Sequence, residues 1–165
     1  MTKALREAYR TWIEIDEHAL HHNVEQFFGI IAPKTQFMAV VKSNAYGHGL
    51  VQVAESLARL SKFQKRGWFG VDSIVEAMAL RRAGITAPIF VLGYTLPRRL
   101  SDAASHDVVV TASSMESLLA IAASNPRPKF HLKIDTGMHR QGFFVKDIGK
   151  VIEVLKKNQL MPSGC

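Results

Sequence analysis

Two short segments of this sequence contain groups of reactive side chains. In the first, Lys42 follows an apolar run, and Tyr46, Gly47 and Gly49 come directly after it, ahead of a predicted helix. Apolar surroundings favour the neutral, nucleophilic form of a lysine amine, which attacks aldehydes to form a Schiff base. Glycines let the backbone approach a ligand closely, and a helix N-terminus attracts phosphate. This combination suits pyridoxal phosphate, whereas the simpler interpretation is a strand-end lysine that reaches water.

The second segment runs from Lys133 through Asp135 to Arg140. Lys133 and Asp135 are two residues apart, so they share one face of a strand. Arg140 lies in the loop that follows, and its guanidinium can hold a carboxylate by two parallel hydrogen bonds. The residue types alone leave two interpretations open, a ligand-binding group or a structural network of ion pairs.

The sequence around these two segments alternates between two hydrophobic periods, one typical of strands and one typical of helices. Short apolar runs predict strands at 36–43, 68–72, 88–93, 108–111 and 130–135. Segments with helical spacing follow them, at 50–60, 74–82, 96–106, 115–123 and 147–157. A strand is also predicted at 11–15, and a helix at 17–31 with Asp16 as its N-cap. Such alternation indicates an α/β fold with a parallel sheet, either open and doubly wound or a (β/α)8 barrel. A dinucleotide fingerprint is excluded, because the pattern begun by Gly47 and Gly49 meets Gln52 where glycine is required.

The composition of the 165 residues is that of a globular protein. Apolar residues make up 47% and charged residues 21%, which argues against a disordered or collagen-like chain. The net charge of +7 comes from scattered basic pairs rather than a basic arm, so neither nucleic acid nor membrane is expected as a partner. Cys165 is the only cysteine, which excludes an internal disulfide and fits a reducing cytosol. The polar N-terminus and the lack of an apolar run of about 20 residues predict a cytoplasmic protein.

The remaining polar groups predict structural roles, and no metal site is expected. His18 and His22 lie one turn apart on the predicted helix at 17–31, but no His-Glu-x-x-His pattern surrounds them. Acidic neighbours indicate a solvated helix face instead. Ser113 and Ser114 predict a helix cap, because no nucleophile-elbow motif surrounds them.

Taken together, the segments resemble the alanine racemase family of pyridoxal phosphate enzymes. Residues 39–49, AVVKSNAYGHG, match the family's cofactor-lysine motif, with Ser43 where alanine is usual. Residues 132–142, LKIDTGMHRQG, match its second motif, with Gln141 where leucine is usual. Shorter matches at 12–23 and 69–85 extend the resemblance over essentially the whole chain.

The resemblance implies a reaction, a cofactor and a set of residue roles. The reaction interconverts L-alanine and D-alanine with pyridoxal 5'-phosphate, and it supplies D-alanine for bacterial peptidoglycan. Lys42 would bind the cofactor aldehyde covalently and remove the α-proton of D-alanine. Tyr46 would hydrogen-bond the cofactor phosphate. Arg140 would contact the cofactor's phenolic oxygen and the substrate carboxylate, and Lys133 matches the lysine that some members carry as a carbamate.

The resemblance also implies that residues 1–165 are a truncated, N-terminal cofactor-binding barrel domain. Family members have longer chains and form homodimers, in which a C-terminal β domain of the partner subunit supplies the second base. This chain has five of the eight strands of a complete barrel, so we expect it to fold poorly and not to racemise alanine alone. Three other interpretations remain open: a racemase for another small amino acid such as serine, a non-catalytic pyridoxal phosphate carrier, and a gene product without function.

Overall fold

A computed structural model of the protein describes residues 10–165. The chain divides into two compact units, Met1–Thr35 and Gln36–Cys165. The described part of the first unit contains helix α1 (Glu17–Ile30), which begins where the carboxylate of Asp16 accepts a hydrogen bond from the backbone N–H of Ala19. The predicted strand at 11–15 is absent, and these residues form neither a helix nor a strand.

The second unit is built on a five-stranded parallel sheet whose strands follow one another in chain order. These strands are β1 (Phe37–Val40), β2 (Gly67–Val71), β3 (Ile89–Val91), β4 (Val108–Ala112) and β5 (Phe130–Leu132). The helices between and after them are α2 (Leu50–Ala58), α3 (Ser61–Arg66), α4 (Ile74–Arg82), α5 (Leu100–Ser105), α6 (Met115–Ala123) and α7 (Ile148–Lys157). Short 3-10 turns at Pro97–Arg99 and Val145–Asp147 precede α5 and α7. Because every pairing is parallel, the carboxyl ends of all five strands meet at one edge of the sheet.

The sheet curves strongly, as the wall of a barrel does. Strands β2 and β5 are three strand spacings apart, which is about 14 Å in a flat sheet. Yet the ring centroids of Trp68 on β2 and His131 on β5 are only 6.3 Å apart. Phe90 on β3 also meets His131, at 4.8 Å. These contacts define a concave face, and they favour the barrel over the flat, doubly wound sheet.

The opposite face of the sheet carries the helices and the hydrophobic core. Phe69 and Val71 of β2 alternate with concave-face residues and are fully buried, as are Ile89 and Val91 of β3. Leu57 of α2, Leu80 of α4 and Leu118 of α6 are likewise 2% exposed or less. Helices on one face and apolar side chains on the concave face explain why these strands are continuous apolar runs rather than alternating ones.

Arg81 of α4 braces the amino edge of the sheet. Its guanidinium donates four hydrogen bonds of 2.7–3.0 Å, to the carbonyl oxygens of Ile85, Ala87, His106 and Asp107. Those carbonyls lie in the two loops that lead into β3 and β4. The brace is therefore at the edge opposite the carboxyl ends of the strands.

The structure departs from the predicted elements at three further places. Helix α3 is additional, and it forms because Phe63 is fully buried against Phe69 and Phe37. The predicted strand at 130–135 is interrupted at Lys133, after which β6 (Ile134–Asp135) pairs in parallel with β7 (Phe143–Phe144). Beyond α7, the chain returns to the sheet at 163–164 and hydrogen-bonds to β5.

Candidate functional site

Lys42 lies where strand β1 ends, at the carboxyl edge of the sheet. The preceding residue, Val41, still donates its backbone N–H to the carbonyl of Gly70 at 2.8 Å, so β1 is held to β2 up to this point. Val41 is buried and Lys42 is half-buried. Lys42 therefore follows directly after backbone that is hydrogen-bonded to the neighbouring strand.

The chain then makes a left-handed helical turn, Lys42–Tyr46, which is rare for residues with side chains. Ser43, Asn44, Ala45 and Tyr46 have φ between 51° and 56°. Each residue in this conformation costs about 1–2 kcal/mol, so the turn persists only where its surroundings hold it. Asn44 provides part of this support, because its side-chain oxygen accepts the N–H of Leu50 at 2.9 Å and so caps α2.

Tyr46 closes the left-handed turn, and its side chain is 63% exposed. Gly47 and Gly49 follow with φ of 92° and 93°, a region that residues with side chains rarely adopt. Helix α2 starts immediately afterwards at Leu50. Tyr46 therefore precedes a helix N-terminus by four residues, the order along the chain that the sequence predicts for a phosphate site.

Glu76 is the residue of this region that sequence reasoning missed. Its carboxylate accepts the N–H of Ser43 at 2.7 Å with one oxygen and the N–H of Asp72 at 2.8 Å with the other. The spacing from Ser73 to Glu76 fits a capping box, and Ser73 does cap α4. The glutamate, however, reaches out to the turn that follows Lys42, a contact across 33 residues of sequence.

The second motif lies at the carboxyl end of β5 and in the loop after it. Lys133 Nζ donates to the side-chain oxygen of Gln141 at 3.3 Å. Asp135 instead accepts the N–H groups of Gly137 and His139, both at 3.0 Å. The predicted alternative of a Lys133–Asp135–Arg140 ion network is therefore absent, since the two charged strand residues have different partners.

The loop at 136–142 is closed at its base by the β6–β7 pair, and it carries Arg140. The side chain of Arg140 is exposed, and its Nη2 lies 3.0 Å from the sulfur of Met138. At the base, Phe143 donates its N–H to the carbonyl of Lys133 at 2.8 Å. The hydrogen bonds from Gly137 and His139 lower the pKa of the Asp135 carboxyl, which stays ionised and holds the loop.

An open cavity of about 390 Å³ lies on the concave face between the second motif and the middle strands. It is lined by Phe90, Leu92, Thr111, His131, Leu132, Lys133, Ile134, Thr136 and Cys165. Burial lowers the pKa of the His131 imidazole, which favours its neutral form. Lys133 is therefore the charged side chain of this lining at neutral pH.

The structure places Lys42, Tyr46 and Lys133 after the carboxyl ends of strands of the five-stranded sheet, and Arg140 in the loop between β6 and β7. Lys42 and Tyr46 form the group after β1, while Lys133 and Arg140 form the group after β5. Neither Lys42 nor Tyr46 lines the cavity that Lys133 borders.

Residues 10–165 contain no group of three His, Cys, Asp or Glu side chains placed to hold a metal ion. Within the same range, every helix is too short or too polar to cross a lipid bilayer.

Comparison with known proteins identifies the fold and the family. A sequence model described as "Alanine racemase, N-terminal domain" matches residues 15–165. An alanine racemase of Fusobacterium nucleatum is 42% identical over 151 residues, which are 92% of this chain and 41% of that protein. An amino-acid racemase of Enterococcus faecalis is 36% identical over 155 residues, which cover 94% of this chain and 21% of that protein.

Among solved structures, the alanine racemase of Bacillus anthracis with bound L-Ala-P matches with a TM-score of 0.81 and 35% identity. The match covers 95% of this chain and 41% of that one. The curved five-stranded sheet is thus part of a (β/α)8 barrel, and the barrel prediction is confirmed. This chain spans about two fifths of the length of the alanine racemases that it matches. The chain belongs to the alanine racemase family, and it corresponds to the N-terminal domain of that family.

Proposed function

We propose that this chain is the part of an alanine racemase that captures pyridoxal phosphate and supplies one of the two proton-transferring groups. The observation that carries the proposal is the family match over residues 15–165 together with a lysine directly after the first strand of the barrel. Reactive groups of such barrels lie at the carboxyl ends of the strands. Lys42 is at that edge.

The residues at the carboxyl edge fit an aldehyde that carries a phosphate. The edge offers an amine from Lys42, a phenol from Tyr46 and two further cations, Lys133 and Arg140. The carboxylates of Glu76 and Asp135 accept backbone N–H groups rather than pairing with these cations. The cationic side chains are therefore available to a phosphate or a carboxylate of a ligand.

Each of these residues receives a role in the proposal. The amine of Lys42 binds the cofactor aldehyde and moves the proton at the α-carbon of the substrate. When bound, pyridoxal phosphate withdraws electrons from that carbon and makes its proton removable. The hydroxyl of Tyr46 donates to a phosphate oxygen. Arg140 binds the substrate carboxylate and the cofactor's phenolic oxygen, and Lys133, as the free amine or as a carbamate, orients Arg140.

Racemisation requires a base on each face of the α-carbon, and Lys42 supplies one. We place the opposing base and the C-terminal β domain outside these 165 residues, on the partner subunit of a cytoplasmic homodimer. The second candidate substrate is another small amino acid, and the Enterococcus faecalis relative, named an amino-acid racemase, supports a substrate class wider than alanine. A non-catalytic carrier of pyridoxal phosphate would need Lys42 but no second base.

The test is covalent capture of the cofactor. The purified chain is incubated with pyridoxal phosphate, reduced with borohydride, digested and mapped by mass spectrometry. We expect the label on Lys42, its loss in Lys42→Ala, and its retention in Lys150→Ala, a control at an exposed lysine of α7. The proposal would be contradicted if Lys42→Ala took up as much label as the parent chain, with the label on other lysines in both.

The same preparations test the claim that the second base lies elsewhere. Incubation with L-alanine and chiral chromatography should show no turnover above that of free pyridoxal phosphate. Racemisation by the 165-residue chain, abolished in Lys42→Ala, would confirm the reaction and refute the claim about the second base.

A further inference from the structure

The peptide bond between Lys42 and Ser43 has an unusual environment. Its N–H is directed to the carboxylate of Glu76 at 2.7 Å, although this glutamate lies on α4, behind a different strand. The other oxygen of the same carboxylate accepts the N–H of Asp72 at 2.8 Å, directly after β2. One side chain thus joins the ends of β1 and β2.

The turn that follows Lys42 needs such a restraint. Four consecutive residues with side chains, Ser43 to Tyr46, have left-handed φ values, and L-amino acids form this conformation only where it is enforced. The other hydrogen bonds of the turn stay within residues 41–50: the N–H of Ala45 donates to the carbonyl of Val41, and the rest join Asn44 and Ala45 to residues 47–50. Among the hydrogen bonds of the described residues, the one that Ser43 donates to Glu76 is therefore the one that links the turn to a residue outside segment 41–50.

We infer that Glu76 is a positioning residue for Lys42: by holding the N–H of Ser43, it fixes the peptide plane on the carboxyl side of the lysine and so the direction in which the lysine leaves the backbone. The inference rests on the proposed function, because it assigns Glu76 a task in the capture of pyridoxal phosphate. An amine that attacks an aldehyde must be held in place, and a displacement of about 1 Å costs on the order of a hundredfold in rate.

A purely structural role is the competing explanation, because glutamate also stabilises the first turn of a helix through the helix dipole. Glu116 allows the two to be separated. It occupies the first turn of α6, as Glu76 does in α4, but its carboxylate accepts a hydrogen bond from the hydroxyl of Tyr94 at 3.2 Å. Glu116→Gln is therefore a matched control that removes a helix-terminal charge without touching Lys42.

The experiment compares Glu76→Gln, Glu76→Ala and Glu116→Gln in the 165-residue chain, with two readouts. The first is the pyridoxal phosphate concentration at which half of Lys42 is labelled after borohydride reduction. The second is amide hydrogen exchange at Ser43, which needs no cofactor. Circular dichroism verifies the fold, and Glu76→Gln keeps the test available if Glu76→Ala does not fold, since the amide retains the shape and one acceptor.

We expect both Glu76 variants to raise the half-labelling concentration roughly tenfold and to accelerate exchange at Ser43, while Glu116→Gln changes neither. Unchanged amide exchange at Ser43 overturns the inference, whether or not the half-labelling concentration of pyridoxal phosphate changes. Faster exchange with unchanged labelling also overturns it, since the contact would then be structural only. Failure of the parent chain to label Lys42 refutes the proposed function instead, and exchange at Ser43 then decides whether Glu76 holds the turn.

Discussion

Replacement of Gly142 by alanine should open the loop that carries Arg140. Gly142 has φ of 123°, and an added Cβ would lie 2.7 Å from the backbone nitrogen of Asp135 and 2.9 Å from the carbonyl oxygen of Lys133. Both are backbone atoms of the segment that pairs with β7, so a side-chain rotation cannot relieve the contact. The pair β6–β7 must separate, and the 2.8 Å bond from the N–H of Phe143 to Lys133 is lost.

The magnitude follows from two contributions. The strained backbone conformation costs about 1–3 kcal/mol for a residue with a side chain. The lost hydrogen bond adds about 0.5–1.5 kcal/mol. The free energy of local opening should therefore fall by about 1.5–4.5 kcal/mol, which accelerates amide exchange at Phe143 roughly ten- to thousandfold.

Gly137→Ala is the matched control, because Gly137 has φ of 138° in the same loop but nothing within 4 Å of the added Cβ. It should show the backbone strain without the collision, so exchange at Phe143 should rise less than in Gly142→Ala. Exchange at Phe143 in Gly142→Ala within twofold of the parent chain would refute the reasoning. An equal effect of the two variants would show that the close approach at Gly142 contributes nothing.

Two further predictions concern stability and pH. Arg81→Lys should lower the free energy of unfolding in urea by about 1–3 kcal/mol, because one ammonium cannot reach all four carbonyls. The control is Arg82→Lys at the exposed neighbouring residue, which should change the free energy of unfolding by less than about 0.5 kcal/mol. Equal effects of the two variants would contradict the claim that the four hydrogen bonds of Arg81 stabilise the fold. Hydrogen bonds from Gly137 and His139 lower the pKa of Asp135 in the folded chain, so their stabilising effect is full above the unfolded value of about 3.9 and is lost as pH falls through the lower folded value. NMR should show amide protection at Gly137 and His139 decreasing in acid, and Asp135→Asn should abolish this pH dependence. If amide protection at Gly137 and His139 stays unchanged until acid unfolds the whole chain, the stabilising role of the Asp135 carboxylate is excluded.

The alternation of strands and helices could be predicted from the sequence because it depends on local hydrophobic spacing. Helices α4 and α6 have the predicted bounds, 74–82 and 115–123, and the serine cap of α6 was predicted as well. Helix α3 could not be predicted, since Phe63 is the single buried residue in a polar, basic stretch. Its stability comes from packing on Phe69 rather than from a repeating pattern.

The positions of Lys42 and Lys133 at strand ends were predictable, but their surroundings were not. Residue preferences argue against four consecutive left-handed residues at 43–46, and the contact that restrains them comes from Glu76, which is remote in sequence. The interruption of the strand at Lys133 likewise depends on Phe143, ten residues later, donating to its carbonyl. Long-range backbone contacts of this kind leave no periodic signal.

The short β6–β7 pair also has a consequence for how this surface can change during evolution. The pair joins Ile134 to Phe143 and Asp135 to Phe144, so both ends of the loop are anchored independently of what lies between them. The entropy of closing a loop grows slowly with length, by about 0.6 kcal/mol for each doubling. Insertions and exchanges between 136 and 141 should therefore be tolerated without disturbing the barrel wall. Variation in this loop would leave Lys42 unaffected, because Lys42 follows β1 and the loop follows β5, at opposite ends of the strand order.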